Sequence, residues 1–145
     1  MQNNEKIRRD FEKIFTSKLS KWLKYNAKRL GGEKNFGPVE SKVSYEKRFN
    51  LKSGFKKHQI PNLLEIKKTV VTYKIPDFDR TLQKPWDLDC YSNSMPAIAI
   101  QWYERAVKKF YLIDPDDINN FIIAGNKSIT EEDAKDMAFE IGELA

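Results

Sequence analysis

Cysteine and histidine occur once each in this 145-residue chain. A lone Cys90 cannot close an internal disulfide, and a single His58 leaves no set of soft ligands at metal-binding spacing, so a structural zinc site is not expected. Long apolar runs are missing as well. Nothing approaches the roughly 18 residues of a membrane span, and the opening Met1-Gln2-Asn3-Asn4-Glu5-Lys6 has no apolar stretch of the kind that directs secretion. The expected setting is reducing and cytoplasmic, with no membrane partner. Internal repeats and low-complexity segments are absent, and the six prolines are scattered, so no linker divides the chain. One domain over residues 1–145 is expected, with a basic helix over 5–29, a core over 38–124 and an acidic C-terminal helix over 131–143.

What the chain does have is bulky apolar surface and divided charge. Nine Phe, six Tyr and three Trp, within 40% hydrophobic residues, are enough to offset chain entropy in one core. Residues 1–74 hold 19 Lys/Arg against 7 Asp/Glu, a net of +12, whereas residues 75–145 hold 7 against 14, a net of −7. A basic half of this kind attracts polyanions, and nucleic acid is the commonest such partner. The alternative is a solvated helix face.

Local patterns predict the order helix, strand, helix, strand, long loop, strand, strand, helix, helix. From Glu5 to about Arg29, Ile7, Phe11, Ile14, Phe15, Leu19, Trp22 and Leu23 recur at spacings of three and four, with Lys and Arg on the other face. Gly31-Gly32 ends this helix. Residues 38–44 alternate as a strand does, with Val39, Ser41 and Val43 on one side and Glu40, Lys42 and Ser44 on the other. Ser53 is the expected N-cap of a helix from Gly54, buried on Phe55, Ile60, Leu63, Leu64 and Ile66, which Pro61 should kink or divide. Thr69 to Lys74 reads as a strand, and residues 75–95 as a long connection with a short strand through Trp86 to Tyr91. Ala97 to Tyr103 suits a central strand buried on both faces, and Lys109 to Ile113 its hairpin partner. Asp114-Pro115 opens a helix that ends at Gly125, and Thr130-Glu131-Glu132-Asp133 forms a capping box with Asp in place of Glu.

Alternation sets the Glu40 carboxylate beside the Lys42 ammonium. Hard carboxylate oxygens hold Mg²⁺, and an adjacent ammonium can orient a water or neutralise a phosphate under attack. Such a pair alone is routine on solvent-facing strands. Lys52, Lys56 and Lys57 lie near a helix start, where charge and free backbone N–H groups suit phosphate, and they also serve as solubilising charge. His58 either contacts DNA or a site water, or is a half-buried residue satisfied by a carbonyl. Trp86, Tyr91, Trp102 and Tyr103 could stack on unpaired bases, but Trp102 is expected in the core.

The longer pattern adds to this. Val39-Glu40-Ser41-Lys42 is followed by Arg48-Phe49-Asn50-Leu51, then by Phe55-Lys56-Lys57-His58-Gln59-Ile60 and Leu63-Leu64. The segment resembles the RecU-like Holliday junction resolvases and related phage nucleases of the PD-(D/E)XK superfamily, over about residues 39–64. Arg9-Asp10-Phe11-Glu12 looks like that group's helix glutamate. The resemblance implies an α/β fold with a central mixed sheet flanked by helices, and a Mg²⁺- or Mn²⁺-dependent endonuclease acting on branched DNA as a homodimer. By the same resemblance Glu40 is a metal ligand, Lys42 the catalytic lysine, Gln59 a neighbour of the site, and Glu12 a residue that approaches the metal or its water. Arg48, Lys52, Lys56, Lys57 and His58 would contact DNA. The aspartate that should precede the strand is missing. Glu33 could replace it, or Asp87 in Lys84-Pro85-Trp86-Asp87 could supply the second acid, or the site could have lost catalysis.

Overall fold

The computed structural model describes the backbone of residues 2–32, 34–68, 70–75, 86–91, 94–103 and 109–144, and side chains for 5–32, 34–68, 94–103 and 109–144. The order is α1 (Gln2–Gly31), β1 (Asn35–Ser44), β2 (Arg48–Asn50), α2 (Leu51–Gly54), α3 (Gln59–Lys68), β3 (Val70–Ile75), β4 (Trp86–Tyr91), β5 (Ser94–Trp102), β6 (Lys109–Ile113), α4 (Pro115–Ile123), β7 (Ser128–Thr130), α5 (Glu131–Met137) and β8 (Glu140–Glu143).

A four-stranded sheet in the order β1-β5-β6-β8 forms the centre. β1 runs parallel to β5, and the other two pairings are antiparallel, so the sheet is mixed. The unbroken apolar run of β5 is explained by cover on both faces, since Ala97, Ile98, Ala99 and Ile100 are all fully buried. On one face α1 lays Phe15 and Leu19 against Ala99, Phe110 and Leu112, with Trp22, Val39 and Val43 packed around them. On the other face Ile98, Ile100 and Ile113 meet Ile60 and Leu63 of α3, Ile118 of α4 and Ala134 of α5. Each Leu, Ile or Phe among them contributes about 1.5–3 kcal/mol by leaving water, and the alanines less. The class is α/β, with helices on both sides of a mixed sheet. Two smaller ladders, β2 with β7 and β3 with β4, are antiparallel.

Several boundaries differ from expectation. Asn50, not Ser53, caps the short helix after β2, its side chain accepting from the backbone of Lys52 and Ser53. The main helix begins at Gln59, so Pro61 falls in its first turn, where its missing N–H breaks no helical bond, and α3 is not divided. The C-terminal helix stops at Met137 rather than 143. Phe139 N–H bonds Leu112 O instead, and Glu140 to Glu143 join the sheet beside β6, because the open edge of β6 satisfies more backbone groups than another helical turn would. Trp86 to Tyr91 is a full partner of β3 rather than a stray strand in a loop. The core also extends beyond 38–124, taking in Phe15, Leu19, Ile129, Ala134 and Leu144. Ile7 and Ile14 leave the expected stripe and are more than half exposed, at 53% and 54%. At about 100° per residue they sit to one side of Phe15 and Leu19.

Candidate functional site

β1 hydrogen-bonds to β5 alone, which makes it a sheet edge among the described residues. In the parallel register Glu40 lies beside Ile98 and Lys42 beside Ile100, so both polar side chains emerge on the face that packs against α3. The first residue of α3 is Gln59, and its carboxamide reaches back to the strand. Gln59 Nε2 donates to Glu40 Oε1 at 2.9 Å, and Gln59 Oε1 accepts from Lys42 Nζ at 2.8 Å and from Lys56 N at 2.8 Å. Lys42 Nζ also stands 3.5 Å from Glu40 Oε1.

The ammonium is well withdrawn from water, with its side chain 16% exposed, while Glu40 is 34% exposed. Around Nζ stand these two acceptors and the ring of Phe55, whose centroid lies 5.3 Å away. Both bonds to Glu40 use Oε1, and among the described residues Oε2 takes none.

Two cavities flank the set. One, of about 250 Å³, is lined by Glu40, His58, Gln59 and Asn62. The other, of about 320 Å³, is lined by Lys42, Ser41, Thr16 and Glu12. Glu12 therefore shares a cavity with Lys42, across from it on α1, and it accepts a hydrogen bond from Tyr45 Oη at 2.9 Å. Burial, then the Glu12 bond, raises the Tyr45 pKa, so the phenol remains a donor at neutral pH. The Arg8 guanidinium lies 4.6 Å from the Tyr45 ring centroid.

Glu40, Lys42, Gln59 and Glu12 thus converge around one strand edge. His58 is exposed rather than half-buried, in the turn before α3, next to Glu40. Lys56 and Lys57 are exposed in that turn, Lys52 is exposed on α2, and Arg48 is exposed on β2 with Nη1 3.4 Å from Ser128 Oγ. Asp87 faces Lys74 in the backbone register of β3 and β4, but its side chain lies outside the described residues, as does all of Glu33. Trp102 is buried in the core as expected, its Nε1 donating to Lys47 O at 3.1 Å. Tyr45, Arg8 and Asn62 were not evident in the sequence. Arg8 and Glu12 are one helical turn apart, a spacing that hints at a shared neighbour without naming it.

Comparison with family models, with curated proteins and with solved structures finds no match in any of the three. The chemistry of the site is the ground for assigning what it does.

Proposed function

We propose that this chain is a divalent-metal-dependent endonuclease of the PD-(D/E)XK kind, hydrolysing phosphodiesters in branched or otherwise structured DNA. The observation that carries the proposal is the Gln59-centred set, which holds a carboxylate and an ammonium together at a strand edge beside two cavities. Magnesium is commonly held by one or two protein carboxylates together with phosphate oxygens and water, and the unbonded Oε2 of Glu40 fits that role. Among the described residues no three His, Cys, Asp or Glu side chains gather into a larger ligand group, so a second protein acid would come from Asp87 or Glu33. Mg²⁺ or Mn²⁺ bound there would polarise the scissile phosphate and acidify its water.

The remaining roles belong to the chain itself. Lys42 neutralises charge that develops on the phosphoryl oxygens or orients the attacking water, and Gln59 keeps its ammonium beside the carboxylate. Glu12 holds Tyr45 on the far side of Lys42. α1 carries Lys13, Lys18, Lys21, Lys24, Lys28 and Arg29 and no acid between residues 13 and 32, which suits it to the phosphate backbone. Paired cuts in a symmetric junction would call for two copies of the chain.

The test is cleavage of a four-way junction and of flap and duplex controls in Mg²⁺ and Mn²⁺. Wild type is expected to cut, with Glu40→Ala and Lys42→Ala each slowing cutting by at least about 100-fold. Unchanged cutting in both variants would refute the assignment. A second reading, a nuclease-like fold that binds DNA without cutting it, is favoured by one feature: Glu40 Oε1 and the Lys42 ammonium are already engaged by Gln59 and by each other. It predicts salt-sensitive binding and no cutting in any divalent metal.

A further inference from the structure

The cavity beside Lys42 does not end there. It shares Val43, Phe49 and Gly54 with a neighbour of about 230 Å³, which in turn shares Asn50 and Ser53 with a wider one of about 840 Å³. Adjoining through these shared walls, the three lie in series from the edge of β1, past β2, to the end of α4, the course of a groove. Its charged lining is Lys42, Arg8, Arg48, Lys52 and Lys127, against Glu12 and Glu46, and Glu12 is already engaged by Tyr45. An anion is the complementary occupant, and the spread of the cations over three cavities calls for one with charges repeated along its length.

The wall of the middle section narrows the class further. Tyr45 lines it with the Arg8 guanidinium stacked on its ring, and Tyr103 lies 5.7 Å from Tyr45 between ring centroids. Cations that follow a backbone, interleaved with an aromatic ring and a guanidinium plane, are how proteins hold unpaired nucleotides, because any base presents a flat face to stack. In an intact duplex those faces are covered by neighbouring bases. The wide end also has the partly exposed Ile122 in its lining with Lys52 and Lys127, an apolar contact for a splayed base.

We infer that this groove takes a single-stranded segment of nucleic acid, its phosphates against Arg48, Lys52 and Lys127 and a base against the Arg8 guanidinium that the Tyr45 ring supports, and delivers the strand to Lys42. The delivery rests on the nuclease reading of that site; the binding does not. The single-stranded arm of a flap would be the part of the substrate that the chain recognises.

The test is fluorescence anisotropy in EDTA, where no cutting occurs, with labelled oligothymidine and a blunt duplex of equal length. Wild type is expected to bind oligothymidine more tightly than duplex. Lys52→Glu combined with Lys127→Glu should weaken oligothymidine binding at least about tenfold and flatten its salt dependence by about 0.7 in log–log slope per lost contact. Lys135→Glu, the same exchange made once on α5 away from the groove, should leave binding unchanged. Tyr45→Leu should weaken binding by about tenfold while Tyr45→Phe, which keeps the ring and loses the Glu12 bond, binds normally. Circular dichroism checks that each variant folds. Wild-type affinity in the double lysine variant, or an equal loss in Lys135→Glu, would overturn the inference. Groove-dependent binding without cutting in Mg²⁺ or Mn²⁺ would overturn the nuclease reading and leave the groove; normal cutting with normal oligothymidine affinity in the double variant would do the reverse.

Discussion

A carboxamide offers a donor and an acceptor on one rigid plane, and Gln59 spends both at once, donating to Glu40 and accepting from Lys42. Neither charged neighbour could be replaced by a hydrophobe without leaving the other short of a partner. Gln59→Leu removes the nearest acceptor of a largely buried ammonium, so the variant is expected to lose about 1–3 kcal/mol of stability, read as a lower urea midpoint at unchanged slope. A midpoint equal to wild type would show that Glu40 alone suffices for Lys42. How much of this was legible depends on the distance that the signal had to span. Alternation along one strand put Glu40 and Lys42 on a common side, and this held. The bond from Gln59 to that strand depends on how α3 packs against it, 17 to 19 residues further along the chain, which no local pattern carries. Tyr45 gave no local signal, because its partners Arg8 and Glu12 lie more than thirty residues away in sequence.

Elements with their own chemical punctuation were readable in advance. Asp114 accepts from Asp116 N at the start of α4, and Thr130 and Asp133 exchange both bonds of a capping box at the start of α5. β5 and β6 declared themselves through apolar runs. The short strands β2, β7 and β8 did not, since three or four residues hold too little pattern and form only where an edge is already waiting. α3 and α4 are further joined by Lys67, which bonds Asp114 at 3.0 Å and Asp116 at 2.5 Å. Burial works against that ammonium, but the bonds it donates to Asp116 and Asp114 outweigh it and raise the Lys67 pKa. A raised folded-state value means that the contribution is complete below the ordinary lysine pKa of about 10.4 and fades as pH climbs through the higher one. Urea midpoints of wild type and Lys67→Met should therefore differ by a constant amount from neutral pH to about pH 9, and converge above about pH 10.4. A gap that stays constant at high pH would assign the difference to packing of the lysine stem.

Across the whole molecule, charge and architecture are arranged together. The basic α1 covers one face of the sheet, and the acidic α4 and α5 lie on the other, with Arg29 of α1 tied to Glu140 of β8 at 2.8 Å. Such a molecule has a preferred orientation in the field of a polyanion, a property that no single residue carries. The parallel pairing of β1 with β5 sets a second global property, because Val39 is in register with Ala97. A fragment that stops before Ser94 has no strand against which β1 can form, and its far-ultraviolet circular dichroism is expected to show less sheet than the full chain, with the β3–β4 ladder still able to pair. Sheet content equal to that of the full chain would show that β1 can find another partner. The same register acts as a clock during translation. Glu40, Gln59 and Lys42 leave the ribosome early, but the strand that aligns two of them is held open until residues near 97 follow, about 3–12 s later at ordinary synthesis rates. All three residues of the set are therefore made well before the site can form, and a chain released short of β5 would carry them without the arrangement that joins them.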